Sequence, residues 1–446
     1  MSLQANATAG GAVNVLFVLS VSPYPKNVGK RIMLGGICDY LKQSPHVSSI
    51  CVASFAGGEM SAGLERTIAL PRPSSRRRIS NALWYSLARR SKSLQESFFW
   101  NPRAQEKLDS IVEQFQPNLI IYDTLRTGQY GKGRGRNNAV EVIYMDDLFS
   151  VRYSKMLALM KQQGMSGIDA MGNFGANIPG FLLRICQKYP VVQKLLLHVE
   201  RSLVAVSENQ APARFDRALL VSSAEQAILR QRTDAQNIFT LPPRLDSFSI
   251  SRRAWNGAPE FVFLGSLNLA HNTISIETFL EQHLETLRKQ IPGVKISILG
   301  QGAGENLKRL AAIYPENVVL HGFVKDLDEV LLRACAMISP LTFGSGVKLK
   351  VIDALRCGIP LITTSHGIEG IEVGNSRGVF KQDVNNFLFP MLTLLDPAVN
   401  AISSRDNAEL YRRFYSSAAV DRVYGRTLLG IDSSSAISEQ LDSAAS

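Results

Sequence analysis

From Ala336 to Thr364 the chain reads strand, glycine turn, helix, strand, an order that needs a parallel sheet with a crossover helix on one face. A short apolar run closes at Ile338-Ser-Pro340, and Gly344 and Gly346 punctuate the turn. A helical pattern begins near Val347, and Gly358-Ile-Pro360 hands over to the next apolar run, ending at Thr364. Glu260–Leu264, Val294–Leu299 and Val318–His321 read as further strands, with a helix over Ile274 to Gln290. Repeated βα alternation predicts a parallel sheet covered by helices on both faces.

The N-terminal half follows the same rule. Val13–Ser20 is an apolar, β-branched run followed by Ser-Pro-Tyr-Pro, Gly29 and a helical pattern from Lys30 to about Lys42. Ile50–Phe55, Asn118–Tyr122, Ala139–Tyr144, Ala218–Ser222 and Ile238–Pro243 complete a second series of strands. A helix over Ala104–Phe115 stops at Gln116-Pro117. The stretch from Ser154 to Val206 reads as largely helical, broken by a Gly/Asn-rich segment from Gly164 to Gly180. A chain of 446 residues can bury two cores. The expected fold is therefore α/β, with two Rossmann-like doubly wound domains.

The polar, aperiodic stretch 244–259 separates the two series and is read as a linker, between domains at 1–243 and 260–404. A C-terminal helix is expected over 405–431, packing back on the N-terminal domain. The Ser/Ala-rich 432–446 is expected to be a disordered tail.

Cys38, Cys51, Cys186, Cys335 and Cys357 form no C-x-x-C pair, which argues against a disulfide framework or a zinc site and suits a reducing cytoplasm. No apolar run reaches the roughly 18 residues that a spanning helix needs. Charge is uneven: the net charge is +11, and Arg66 to Arg136 holds fourteen Lys/Arg against five Asp/Glu. Within it, Arg76-Arg77-Arg78 leads through Trp84-Tyr-Ser-Leu87 to Arg89-Arg90. Cations interleaved with amphipathic side chains fit the headgroup level of an anionic membrane, and a solvated basic face is the plainer alternative. Nucleic acid is not expected as a partner, because no recognisable nucleic-acid module accompanies the charge.

Three glycine clusters are candidate anion sites. Pro23-Tyr-Pro-Lys-Asn-Val-Gly29-Lys-Arg31 precedes a helix whose N-terminal amides can face an anion. Gly300-Gln-Gly302-Ala-Gly304 follows a strand but lacks dinucleotide spacing, and reads better as a tight βα turn. In Phe343-Gly344-Ser345-Gly346-Val347-Lys348, a lysine stands at the positive end of a helix, where cations are disfavoured. A bound anion resolves that conflict; a glycine turn with a solvated lysine is the alternative. Asp146 and Asp147 lie just beyond a strand's C-terminal end, where doubly wound sheets bind ligands, though an Asx turn or a helix cap accounts for them equally well.

The pattern Gly344-x-Gly346-Val-Lys348-x-Lys350-Val-x-Asp353-Ala-Leu-x-x-Gly358-x-Pro360 resembles the donor signature of bacterial GT-B glycosyltransferases of the exopolysaccharide and surface-polysaccharide type, group 1 or family four. Phe263-Leu-Gly265-Ser with Asn272, Leu299-Gly300-Gln-Gly302, and Val319-Leu-His-Gly322-Phe-Val324-Lys-Asp326-Leu327 resemble the blocks that precede it. Pro25, Gly29 and Arg31 resemble the family's opening loop, and Asp146-Asp147-Leu-Phe-Ser150-Val-Arg152-Tyr153 its D-x-x-S-x-x-Y block. Phe215-Asp216 and Val221-Ser-Ser-Ala-Glu225 resemble the block before the linker.

The resemblance implies two domains facing each other across a cleft, acceptor on the N-terminal side and nucleoside-diphosphate sugar on the C-terminal side. It implies a glycosyltransferase of hexosyltransferase type, acting on a lipid-linked or polysaccharide acceptor in cell-surface glycan synthesis. The expected place is the cytoplasm, at the inner face of the plasma membrane, with no metal or other cofactor. Phe323, Val324 and Leu327 would receive the nucleobase, and Lys348 with the amides of Ser345, Gly346 and Val347 the diphosphate. Gly29 and Arg31 would close from the other domain, Gly265 and Asn272 would line the turn, and Asp353 would lie near the ribose. Many retaining members carry two glutamates eight positions apart; here those positions are Ser345 and Asp353. The stereochemical outcome thus stays open, and an inverting route would take Asp146 or Asp147 as general base. A sugar-nucleotide epimerase or hydrolase of the same plan, or a catalytically silent nucleotide-sugar-binding protein, are the alternatives.

Overall fold

The computed structural model describes residues 12–26, 28–56, 66–135, 138–162, 180, 184–185, 188–245, 253–344 and 346–431. The chain divides into two compact units, one formed by Met1–Leu245 with Val420–Ser446 and the other by Asp246–Ala419.

The first unit holds seven parallel strands, β1 (Val13–Leu19), β2 (Val47–Ser54), β3 (Arg66–Ala69), β4 (Leu119–Asp123), β5 (Val140–Asp146), β6 (Arg217–Leu220) and β7 (Ile238–Thr240), in the order β3-β2-β1-β4-β5-β6-β7. Except for Asn14, β1 is buried along its whole length, as a central strand with helices on both faces must be. The strand order reverses between β1 and β4, so the C-terminal ends of these two strands form the switch point where such sheets bind ligands.

The second unit holds β8 (Glu260–Leu264), β9 (Lys295–Leu299), β10 (Val318–Gly322), β11 (Ala336–Ser339), β12 (Leu361–Thr363) and β13 (Val379–Lys381), parallel and ordered β10-β9-β8-β11-β12-β13. Its switch point lies between β8 and β11. Phe261, Phe263, Ile296, Ile298 and Ile338 from the strands pack with Ile276, Phe279 and Leu280 of the helix Ala270–Gln290.

Two features of the chain's organisation differ in detail from expectation. Residues 253–259, read as linker, are fastened to the second unit: Ala254 N–H donates to Leu332 O at 3.0 Å, and Arg253 to Asn400 Oδ1 at 2.8 Å. The helical stretch expected over 405–431 is divided. Pro397–Phe414 belongs to the second unit, and the return to the first begins at Val420. There Tyr424 meets Tyr40 edge to face at 5.3 Å, Asp421 pairs with Arg244 at 2.6 Å, and Arg217 donates to Thr427 O at 3.0 Å. The break at 164–180 and the tail 432–446 lie almost wholly outside the described residues.

The basic aromatic segment folds as the helix Ser75–Asn81, which runs into a π-helical turn over Ala82–Ala88. Its amphipathy is inverted. Asn81, Ala82 and Ser86 are buried, with Asn81 donating to Ser97 O at 3.0 Å and Ser86 Oγ lying 2.7 Å from Ser97 Oγ. Leu83, Trp84 and Leu87 are more than half exposed. Among the described residues no single helix is long and apolar enough to cross a membrane.

Candidate functional site

At the C-terminal edge of β8 and β11 the second unit gathers several cations. Lys348 is the N-cap of the helix Leu349–Arg356, which begins two residues later than the expected start near Val347. A lysine has no acceptor to offer the first amides of a helix, so no side-chain cap closes this end. Instead Lys348 is buried, and its Nζ donates to Gly346 O at 2.6 Å. Lys350 Nζ donates to Asn272 Oδ1 at 2.8 Å and lies 4.6 Å above the Phe263 ring, two partners without formal charge. Burial, then the Lys348 charge, push the Lys350 ammonium down to about 7. Burial and the same two lysines push His271 down to about 4, so its imidazole is neutral near pH 7. A buried and a half-buried lysine beside a neutral histidine make this sheet edge suited to an anion.

Glycines set how closely backbone approaches here. A Cβ on Gly300 would lie 1.9 Å from Gly265 O, and one on Gly265 2.9 Å from the Asn272 amide. Gly265 therefore lets Asn272 lie against the end of β8, and Asn272 in turn fixes Lys350. Phe323 stands 72% exposed just past β10, where Gly322 turns the chain at a φ of 65°. Val324 is half-buried beside it, and Leu327 opens the helix Leu327–Arg333, capped by Asp326. β10 and β8 are separated by β9, so their ends stand roughly 10 Å apart at the usual strand spacing. Asp353 lies one turn into its helix, 3.6 Å from Arg356, and burial pushes its carboxyl up to about 6 despite that guanidinium. Arg356 is mainly engaged with Asp328, at 2.9 Å. Gly346 and Val347 lie between β11 and the helix; Ser345 is outside the described residues.

In the first unit, Gly29 opens the helix Gly29–Gln43, whose N-cap Val28 offers no side-chain acceptor. Lys30 and Arg31 follow in its first turn, and Lys30 Nζ lies 3.0 Å from Asp123 Oδ1. Asp123 is fully buried at the end of β4 and also accepts from the Ser20 hydroxyl and, at 3.0 Å, from Ser20 N–H. It ties the end of β1 to the start of the helix after it, and so holds the Gly29 turn at the switch point.

The two aspartates after β5 are placed differently. Asp146 is half-buried in left-handed backbone, φ 70°, and its Oδ1 accepts from Tyr144 Oη at 2.8 Å. Such a conformation is costly for a residue other than glycine and recurs at functional edges. Asp147 is buried and ion-paired with Arg152.

His271 and Asp123 are two site residues that the sequence alone did not single out. The signal for Asp123 was a carboxylate closing the apolar run Leu119–Tyr122 at a sheet edge. His271 carried none, since only folding brings it to Lys348 and Lys350. Among the described residues no group of three or more His, Cys, Asp or Glu side chains is placed to hold a metal ion.

Residues 258–396 match the family described as glycosyl transferases group 1. The chain carries a group 1 glycosyl transferase domain. That domain starts just before β8 and contains His271, Asn272, Phe323, Lys348, Lys350 and Asp353. A Klebsiella pneumoniae protein described as an uncharacterized 44.6 kDa protein in a cps region is 27% identical over 156 residues, 32% of this chain and 40% of that protein. The match thus spans less than half of that relative's length. Among solved structures, the sucrose-phosphate synthase of Thermosynechococcus elongatus superposes with a TM-score of 0.61 at 16% identity, over 97% of this chain and 100% of that one. WaaG, a glycosyltransferase involved in lipopolysaccharide biosynthesis, gives 0.56 at 12% identity, over 94% and 100% of the two chains. Anabaena HepE, solved in complex with UDP, gives 0.56 at 13% identity with the same coverage. The chain's two parallel α/β sheets, together with these likenesses, give it a GT-B fold.

Proposed function

We propose that the protein transfers a sugar, of hexose type, from a nucleoside-diphosphate sugar to a lipid-linked or polysaccharide acceptor in cell-surface glycan synthesis. The observation that carries this reading is the Lys348–Lys350 pair beside neutral His271 at the switch point of a group 1 glycosyl transferase domain. The two ammonium groups and the amides of Gly346 and Val347 hold the diphosphate. Phe323, Val324 and Leu327 take the base, and Asp353 faces the ribose. A preorganised cationic cradle stabilises charge as the nucleoside diphosphate departs, which is where such a site lowers the barrier. The HepE structure with UDP-glucose supports a uridine donor as the first to test.

Asp146 is the better candidate for activating an acceptor hydroxyl, since Asp147 is already engaged with Arg152. Ser345, where retaining relatives carry a carboxylate, keeps a silent nucleotide-sugar-binding protein as the second reading. Acceptor-dependent release of nucleoside diphosphate from a panel of sugar donors, with membrane lipid extract as acceptor, separates the two. Turnover supports the transferase; donor binding without turnover supports the silent protein; donor interconversion without acceptor marks an epimerase.

The inverted segment around Trp84 supports peripheral contact with an anionic bilayer at the inner face of the plasma membrane. It exposes Leu83, Trp84 and Leu87 between the exposed cations Arg76, Arg77, Arg89 and Arg90. An apolar face flanked by positive charge complements acyl chains beneath anionic headgroups.

A further inference from the structure

Behind that segment lies a cavity of about 160 Å³, lined among others by Tyr85, Lys92, Glu96, Gln129, Ser207 and Arg214. None of these residues belongs to the donor site. The volume is close to the ~150 Å³ of an engineered cavity that accepts benzene, so a phosphate-sized group has room. Its walls are polar. Lys92 Nζ donates to the neutral Gln129 Oε1 at 2.9 Å and lies 4.2 Å above the Trp100 ring. Arg214 donates to the carbonyls of Gln129 and Gly131, at 3.1 and 2.6 Å. Both cations are thus held by uncharged groups. Glu96, the carboxylate in the wall, is committed elsewhere: its Oε2 accepts from Ser93 N–H at 2.9 Å and from Ser207 Oγ at 2.7 Å, closing the capping box of the helix Leu94–Phe99. Burial lowers the Lys92 ammonium to about 8, opposed by Glu96 and assisted by Arg214.

We infer that this cavity is a second anion site, taking the phosphate or diphosphate head of an amphiphile between Lys92 and Arg214. The apolar part of such a ligand has a surface to follow. Tyr85 and Ser91, which line the cavity, belong to the stretch that exposes Leu83, Trp84 and Leu87. The inference rests on the membrane-contact reading given above for that stretch, and it adds a specific headgroup pocket to a general attraction of charges.

Calorimetric titration of the full chain with short-chain phosphatidic acid, below its micelle concentration, tests it. A second arm titrates inorganic pyrophosphate into the double variant Lys348→Ala/Lys350→Met, which removes both donor-site cations as a competing sink. Saturable binding is expected, weakened at least ten-fold by Lys92→Gln and by Ser91→Glu at the exposed rim, and kept within about three-fold by Lys92→Arg. Melting temperatures should stay unchanged. Binding of the amphiphile alone assigns the site to a lipid head; equal binding of pyrophosphate assigns it to a free phosphate ligand of the same chemistry. Absence of saturable binding in both arms, or equal affinity in wild type and Lys92→Gln, overturns the inference. Nucleoside-diphosphate-sugar binding is measured on the same samples. Its persistence in Lys92→Gln leaves the transferase reading standing whichever way the cavity is decided, and its absence from wild type counts against that reading alone.

Discussion

Lys350 Nζ rests 2.8 Å from Asn272 Oδ1, so the second lysine of the donor turn is held by a neutral oxygen where a carboxylate would cancel its charge. Asn272→Asp converts that contact into an ion pair with almost no change of shape. Donor affinity is expected to fall about ten-fold, near 1.4 kcal/mol, as the ligand's diphosphate meets a neutralised cation. Titration of wild type and variant with the same nucleoside-diphosphate sugar measures it. An unchanged affinity would place the diphosphate elsewhere.

Donor binding should also depend on pH, with a sign fixed by Lys350. Its ammonium is pushed down to about 7 in the free protein, and a bound diphosphate favours the protonated form. Affinity is therefore highest below pH 7 and declines as pH rises from 7 towards 9. His271 lies at about 4 and stays neutral across this window, so it contributes no opposing slope. A sugar nucleotide is the ligand to use, because its doubly esterified diphosphate does not titrate there. Lys350→Met should flatten the profile.

Asp146 and Asp147 separate chemistry from stability. Asp146→Asn is expected to lower kcat by about a hundred-fold, the lower range for loss of a general base, with little change in donor binding. Asp147→Asn removes the charge that pairs with Arg152, at a cost of about 2 kcal/mol in unfolding free energy. Steady-state kinetics and urea denaturation on both variants distinguish the roles.

Gly300→Ala tests the packing beneath the donor turn. The added methyl would lie 1.9 Å from Gly265 O, a backbone atom that cannot rotate away. A loss of about 3 kcal/mol is expected by urea denaturation, the upper range for overpacking.

Replacing Leu83, Trp84 and Leu87 together by serine should weaken sedimentation with anionic vesicles while leaving thermal stability nearly unchanged. These side chains are exposed, and exposed substitutions rarely move stability by more than about 0.5 kcal/mol.

Strands such as β1 and β8 were legible in the sequence because buried parallel strands are uninterrupted apolar runs. The short edge strands β3 and β13 were not, since Arg66-Thr-Ile-Ala69 and Val379-Phe-Lys381 carry too few apolar positions to stand out. The segment around Trp84 hid its helix because its apolar residues face outward and its small polar ones inward, the reverse of the usual amphipathic pattern. At the site, Lys348 was legible from a local conflict, a cation at a helix start. The part played by Lys350, His271 and Asp123 was not, because each depends on a partner far along the chain: Asn272, the lysines and Lys30 respectively.

The central claim, an anion site built on Lys348 and Lys350, is tested most directly by titrating wild type, Lys348→Ala and Lys350→Met with a panel of nucleoside diphosphates. At least one should bind wild type saturably, with affinity reduced ten-fold or more in each variant and the fold intact by circular dichroism. Binding of every nucleoside diphosphate equally well to all three proteins, or to none, would contradict it.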